Sequence, residues 1–193
     1  MVSGRLIARR AQPPAVVAAV LAFLIAAAPT RSHLLAKEFL TPDEIAKIQD
    51  APEVDKRVKI YLDAAALRLK SAEERLNGKE SSPGDPLEFF TPEEMVDGYY
   101  RILRSIMYLL DETVARPKEP ERIAKALRNL KDRTERDLKS LQILKKMAED
   151  KQKEDLWNAV NQSLEIADGA HEGAETGLTQ FKEKEKAKSK KGR

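Results

Sequence analysis

The chain has no cysteine, and that one absence excludes disulfide staples, a thiol nucleophile, thiolate metal ligands, cysteine-attached haem and a bacterial lipoprotein anchor. Stability must then come from packing alone. Aromatic residues make up only 5% of 193 positions, a scarcity that suits helices better than aromatic-rich strands. Histidine occurs twice, at His33 and His171. The sequence also lacks a Gly-rich phosphate loop, a nucleophile elbow, an HExxH helix and a paired-acid signature. No catalytic constellation emerges, so the expectation is that the protein is not an enzyme and uses no cofactor. What abounds is charge, at 35% of residues with 35 basic and 32 acidic groups, a composition typical of one charged helical domain.

The charge is unevenly placed. Residues 1–32 hold four arginines and no acid, and residues 182–193 hold seven basic and two acidic groups, which leaves 24 basic and 30 acidic groups over residues 33–181. Basicity is thus a property of the ends, and a mildly acidic body argues against nucleic-acid binding. At the N-terminus, Arg5, Arg9 and Arg10 precede the apolar run AVVAAVLAFLIAAA from Ala15 to Ala28. That run falls short of the roughly 20 residues a bilayer crossing needs and suits a signal-peptide core. Residues 1–32 are therefore expected to be a signal peptide, with an uncleaved membrane anchor as the alternative. The protein is expected to be exported, to the periplasm or the extracellular space.

Two stretches, FLTPDE from Phe39 and FFTPEE from Phe89, carry the same helix-start chemistry. A threonine caps the amide three residues on, a glutamate reaches back to the threonine amide, and proline takes the first helical position. Similarity ends with the boxes, so they predict two helix starts and no duplicated domain. The first helix is short and yields near Asp50, where Asp50, Pro52 and Glu53 suggest another capping box. A long helix then carries the stripe Val54, Val58, Tyr61, Leu62, Ala65, Leu69, Ala72 and Leu76, and Asn77-Gly78 ends it. The stretch KESSPGDP is loop by composition. The next helix, about 92–115, has Val96, Tyr99, Leu103, Ile106 and Leu110 as its seam, widened by Met95, Ile102 and Leu109. From about 120 to 149 the stripe is Ile123, Leu127, Leu130, Thr134, Leu138, Leu141, Leu144 and Ala148. A last helix carries Leu156, Val160, Leu164, Ala167, His171, Ala174, Leu178 and Phe181. The pattern predicts an all-α antiparallel four-helix bundle of long amphipathic helices over residues 37–181, with a short N-terminal helix and a basic disordered tail over 182–193. Should 149–153 stay helical, a more extended coiled structure, and with it a homodimer, is the alternative.

Four features carry candidate chemistry. Gly169, Gly173 and Gly177 recur every fourth residue, which predicts either a close helix crossing or a frayed end, with a small-residue cleft edged by His171 as the functional alternative. Asp168, His171 and Glu175 share a helix face at metal-ligand spacing, but such sites need ligands from other helices and the other stripes offer none, so a hydrogen-bonded histidine is expected and no metal. Pairing His171 with Met95, Met107 or Met147 around haem is weaker still, because scattered methionines ordinarily pack cores. GYYRILRSIMYLL, from Gly98, concentrates three of the four tyrosines with two arginines; core packing with tyrosine hydroxyls reaching the rim is the expected reading, and Tyr100, Arg101, Arg104 and Tyr108 are the candidate interaction residues of the alternative. Lys182 to Arg193 could make weak contact with an anionic surface.

The paired boxes LTPDE and FTPEE resemble the paired Leu-Thr-x-x-Gln boxes of small periplasmic helical chaperones, with Glu44 and Glu94 where that family has glutamine and Phe90 where it has leucine. The resemblance covers ten residues and implies a surface that holds unfolded clients. The leading expectation is an exported, non-enzymatic bundle that acts as an adaptor or scaffold through an envelope protein partner. A client-holding periplasmic chaperone and a metal or small-ligand carrier centred on His171 are the alternatives.

Overall fold

The computed structural model describes residues 38–115 and 118–191, with side chains as far as Glu183. The expected signal peptide, His33 and Pro117 lie outside these residues. Among the described residues there is no strand, and five helices follow in order: α1 Pro42–Asp50, α2 Val54–Leu76, α3 Pro92–Ala115, α4 Pro120–Asp150 and α5 Glu154–Lys191. This is the all-α bundle that the stripes predict, with one short helix preceding four long ones. None of the described helices is long and apolar enough to cross a membrane.

Both capping boxes form. The Glu44 amide donates to Thr41 Oγ1 at 3.2 Å and the Thr41 amide donates to Glu44 Oε2 at 2.8 Å; Thr91 and Glu94 repeat these distances at the head of α3. The box expected at Asp50 does not form. Asp50 is the last residue of α1, Pro52 stays outside both helices, and Glu53 takes the N-cap of α2 without a side-chain capping bond. Arg57 closes this corner instead, its Nε donating to the Ala51 carbonyl at 2.8 Å and its Nη2 to that of Pro52 at 3.2 Å. Carbonyls left open at a helix C-terminus favour such a cation.

Named contacts set the helix directions. Arg75 near the end of α2 donates to the Phe90 carbonyl just before α3 at 3.0 Å, while Arg68 lies against Gly98, so these two helices run antiparallel. Trp157 Nε1 donates to Glu149 at 2.9 Å and Thr134 meets His171, so α4 and α5 are antiparallel as well. Across the two hairpins the order is the same on both helices. Asp55 pairs with Lys125 and Asp63 with Arg133 between α2 and α4, and Glu93 pairs with Lys153 while Ser163 Oγ donates to the Val96 carbonyl between α3 and α5. The four long helices are thus two antiparallel hairpins laid side by side in parallel, with α3 and α4 meeting across the diagonal.

Val58, Leu62, Leu69, Tyr99, Ile102, Leu103, Ile106, Ile123, Leu141, Leu144, Leu156 and Val160 form one continuous core. The stripes of α2, α3 and α4 supply it as the periodicity predicts. In α5 the stripe is rotated slightly: Ser163 and Ala170 are buried, whereas Leu164, His171, Leu178 and Phe181 are only half-buried. The helix break at 149–153 is real, since Gln152 adopts φ 53° and the amides of Lys151, Gln152 and Lys153 close back on the last carbonyls of α4. At the other end α5 runs on to Lys191. Most of the stretch expected as a disordered tail therefore continues the helix.

Candidate functional site

The first hairpin carries α1 as a clasp. Arg68, only 1% exposed, donates from Nη1 and Nη2 to the two carboxylate oxygens of Glu44 at 2.9 and 2.8 Å, and again from Nη1 to the Ala64 carbonyl at 2.8 Å. The first capping box thus has a second task. Its glutamate caps α1 and also neutralises a buried guanidinium from α2. Burial would raise the Glu44 pKa, but the Arg68 guanidinium and the Thr41 amide outweigh it and hold the carboxyl below its ordinary value. Room for Arg68 comes from Gly98, where an added Cβ would sit 3.1 Å from Arg68 Cδ and 3.2 Å from Nε.

Because α1 is held in this way, a groove of about 740 Å³ opens between it, α2 and α3. Phe39, Ile48 and Gln49 form one wall, Arg57 and Tyr61 the base, and Arg101, Arg104, Ser105, Tyr108, Leu109 and Glu112 the other wall. Three of the four residues expected at an interaction edge, Arg101, Arg104 and Tyr108, line it. The fourth, Tyr100, is half-buried beside the groove, and the Arg104 guanidinium lies 5.8 Å from its ring centroid. Arg101 is exposed and paired with Asp97 at 2.8 Å. Tyr108 is 67% exposed and donates to Glu112 at 2.9 Å, and that carboxylate raises the tyrosine pKa.

A second groove, of about 610 Å³, lies on the second hairpin's side, between α3, α4 and α5. Its walls include Met107, Leu110, Val114, Leu127, Gly169 and Gly173. The close crossing expected of the glycine series occurs at one position only. An added Cβ at Gly177 would lie 3.0 Å from Leu127 Cδ1, but at Gly169 and Gly173 it would meet nothing within 4 Å. His171 is not among the residues lining this groove. Its Nδ1 lies 3.2 Å from the Lys131 carbonyl and 3.3 Å from Thr134 Oγ1, so it faces α4 and donates to a backbone acceptor. Glu175 pairs with Lys131 at 2.8 Å and Asp168 is exposed. Among the described residues no group of three potential ligands is placed to hold a metal. The methionines of the haem alternative do not converge on the histidine either: Met95 is in the core, Met107 lines the second groove, and Met147 lies on α4 about 20 Å along the helix from Thr134, which His171 meets.

Asp137 escaped the sequence reading. It is 4% exposed, on the core face of α4, where it confronts Tyr99 across the diagonal. Neither Asp137 Oδ2 nor the Tyr99 hydroxyl has a hydrogen-bond partner of good geometry. Burial pushes the Asp137 pKa up to about 6, against the opposing pull of Arg133, the nearby Tyr99 hydroxyl and Arg136. Burial and the Asp137 charge raise Tyr99 in turn. The pair borders neither groove.

No protein-family model, no curated protein and no solved structure matches the chain.

Proposed function

We propose that the protein is an exported, non-catalytic helical bundle that works through protein contacts, as an adaptor or scaffold, and that the groove beside α1 is its contact face. The observation that carries this reading is the convergence, in one groove, of an exposed tyrosine, two exposed arginines and the apolar side chains of Phe39, Ile48 and Leu109. Tyrosine and arginine are the residues that most often concentrate binding energy at interfaces. A groove whose walls are fixed by a buried ion pair also loses little conformational freedom on binding. Export rests on the arginine-flanked apolar run in residues 1–32.

The test is a photocrosslinking residue introduced at Ser105, which lines the groove, in the full chain expressed in its native cells. An adduct of one discrete mass that disappears when Arg101 and Arg104 are both changed to Glu supports the reading. A smear of unrelated clients would replace it with the chaperone alternative, and the absence of any adduct would remove it.

A further inference from the structure

The charge of the groove is at odds with that of the body around it. Residues 33–181 contain more acids than bases, yet among the described residues the groove is lined by Arg57, Arg101 and Arg104 against the single carboxylate of Glu112. The arginines are also incompletely neutralised. Arg57 is held by two carbonyls, which orient it without cancelling a full charge. Among the described residues Arg104 has no carboxylate partner, and its only interaction is with the Tyr100 ring. Arg101 has Asp97, but both members of that pair are about half exposed, so the attraction is weak and readily exchanged for another carboxylate.

Shape adds a second constraint. Arg101 to Glu112 covers three turns of α3, about 16 Å at 1.5 Å per residue. That is the reach of about five extended residues. Phe39, Ile48 and Leu109 offer apolar contact along the same channel. The forked guanidinium of arginine matches carboxylate geometry with two parallel hydrogen bonds, which a lysine cannot reproduce.

We infer that the groove beside α1 binds a short acidic peptide segment of a partner protein, its carboxylates on Arg101, Arg104 and Arg57 and one apolar side chain seated against Phe39, Ile48 and Leu109. The inference rests on the protein-contact reading above and names the chemistry of the partner. Arg101 and Arg104 then act as the specificity determinants, and Tyr108, hydrogen-bonded to Glu112, forms the rim.

The experiment uses the full chain and a fluorescein-labelled peptide of glutamates with one central phenylalanine, followed by fluorescence anisotropy at low and high salt. Matched probes are the same peptide with lysine for glutamate, a glutamate peptide without phenylalanine, inorganic polyphosphate and phosphatidylglycerol vesicles. Binding of the Glu-Phe peptide, weakened at least about tenfold by R104E and by raised salt, with the lysine peptide silent, is the expected result. Arg104 is exposed, so circular dichroism of the variant is expected to match that of the parent. The conservative R104K variant is expected to retain part of the affinity but lose the bidentate component. Equal binding by R104E overturns the inference. Polyphosphate or vesicles binding as tightly as the Glu-Phe peptide, with the same R104E sensitivity, overturns it in favour of a general polyanion face. No peptide binding while the Ser105 crosslink still captures a discrete partner overturns the acidic assignment and leaves the protein-contact reading standing.

Discussion

The two sides of the bundle use the same small residue to opposite ends. On the clasped side, Gly98 gives its space to Arg68, whose guanidinium holds Glu44 and with it the whole of α1. On the far side, Gly169 and Gly173 face empty space. The lesson is that a missing Cβ is informative only through what occupies its place. Where a charged side chain fills it, a neighbouring element is positioned and a basic groove results. Where nothing fills it, the glycines leave a shallow apolar channel and weaken their own helix by about 1 kcal/mol each relative to alanine.

The largest test of this contrast is Glu44→Ala. It strands a guanidinium that is 1% exposed, a change expected to cost about 3 kcal/mol unless α1 detaches and lets water reach Arg68. Either route predicts the same signature in hydrogen exchange. The amides of α1 lose protection while those of α4 and α5 keep theirs, and the groove loses one wall. Unchanged protection in α1 would mean that Glu44 and Arg68 do not hold the clasp.

Between the two sides sits Asp137, and its effect depends on pH. The folded pKa of about 6 lies above the ordinary 3.8, so the native state favours the protonated carboxyl. Its contribution to stability is complete below pH 3.8 and is lost as pH rises through 6, a swing of about 3 kcal/mol at 1.36 kcal/mol per unit. Asp137→Asn is therefore expected to stabilise the protein at pH 7 and to flatten the pH dependence between 4 and 6. Denaturant titrations at pH 4 and pH 7 check both points. A variant less stable than the parent at pH 7 would show instead that the charged carboxylate is favourably held.

Smaller effects separate the glycines themselves. At Gly98 a methyl group would press on an Arg68 side chain fixed at both ends, so Gly98→Ala is expected to cost about 1–3 kcal/mol. Gly169→Ala and Gly173→Ala are expected to gain about 0.5–1 kcal/mol each, because the new methyl meets nothing and the helix becomes stiffer. Thermal unfolding of the three variants gives the ordering. A loss of stability at Gly169 or Gly173 would break the contrast between the two sides.

The fold was legible because each of the four long helices carries an apolar stripe, and α1 and α3 carry a start signal besides. Thr41 to Glu44 and Thr91 to Glu94 form the bonds that their spacing predicts, and the Asn77-Gly78 stop lies where α2 ends, with Gly78 at φ +81°. The misread box at Asp50 fails because Asp50 is still the last residue of α1 and α2 begins only at Val54, which puts Glu53 at the N-cap position. The groove beside α1 was legible only in part, since Arg101, Arg104 and Tyr108 cluster in the sequence whereas Phe39, Ile48, Arg57 and Tyr61 join them through the chain's return. Arg68 and Asp137 were hidden by their charge, although both fall on the apolar period of their helices. Arg68 is three residues after Ala65 and four before Ala72, and Asp137 is three after Thr134 and four before Leu141. A charge in register with a stripe is the signal that would have found them, because burying it demands a partner or a shifted pKa.

The account turns on whether the clasped side meets a partner in place, and hydroxyl-radical footprinting of Tyr108 measures this directly. Tyr108 is 67% exposed and Trp157, away from both grooves, is 37% exposed. Labelling is compared between the purified chain and the protein in its native cells. The account predicts that Tyr108 becomes strongly shielded in place while Trp157 is labelled as before, and equal labelling of Tyr108 in both settings would contradict it.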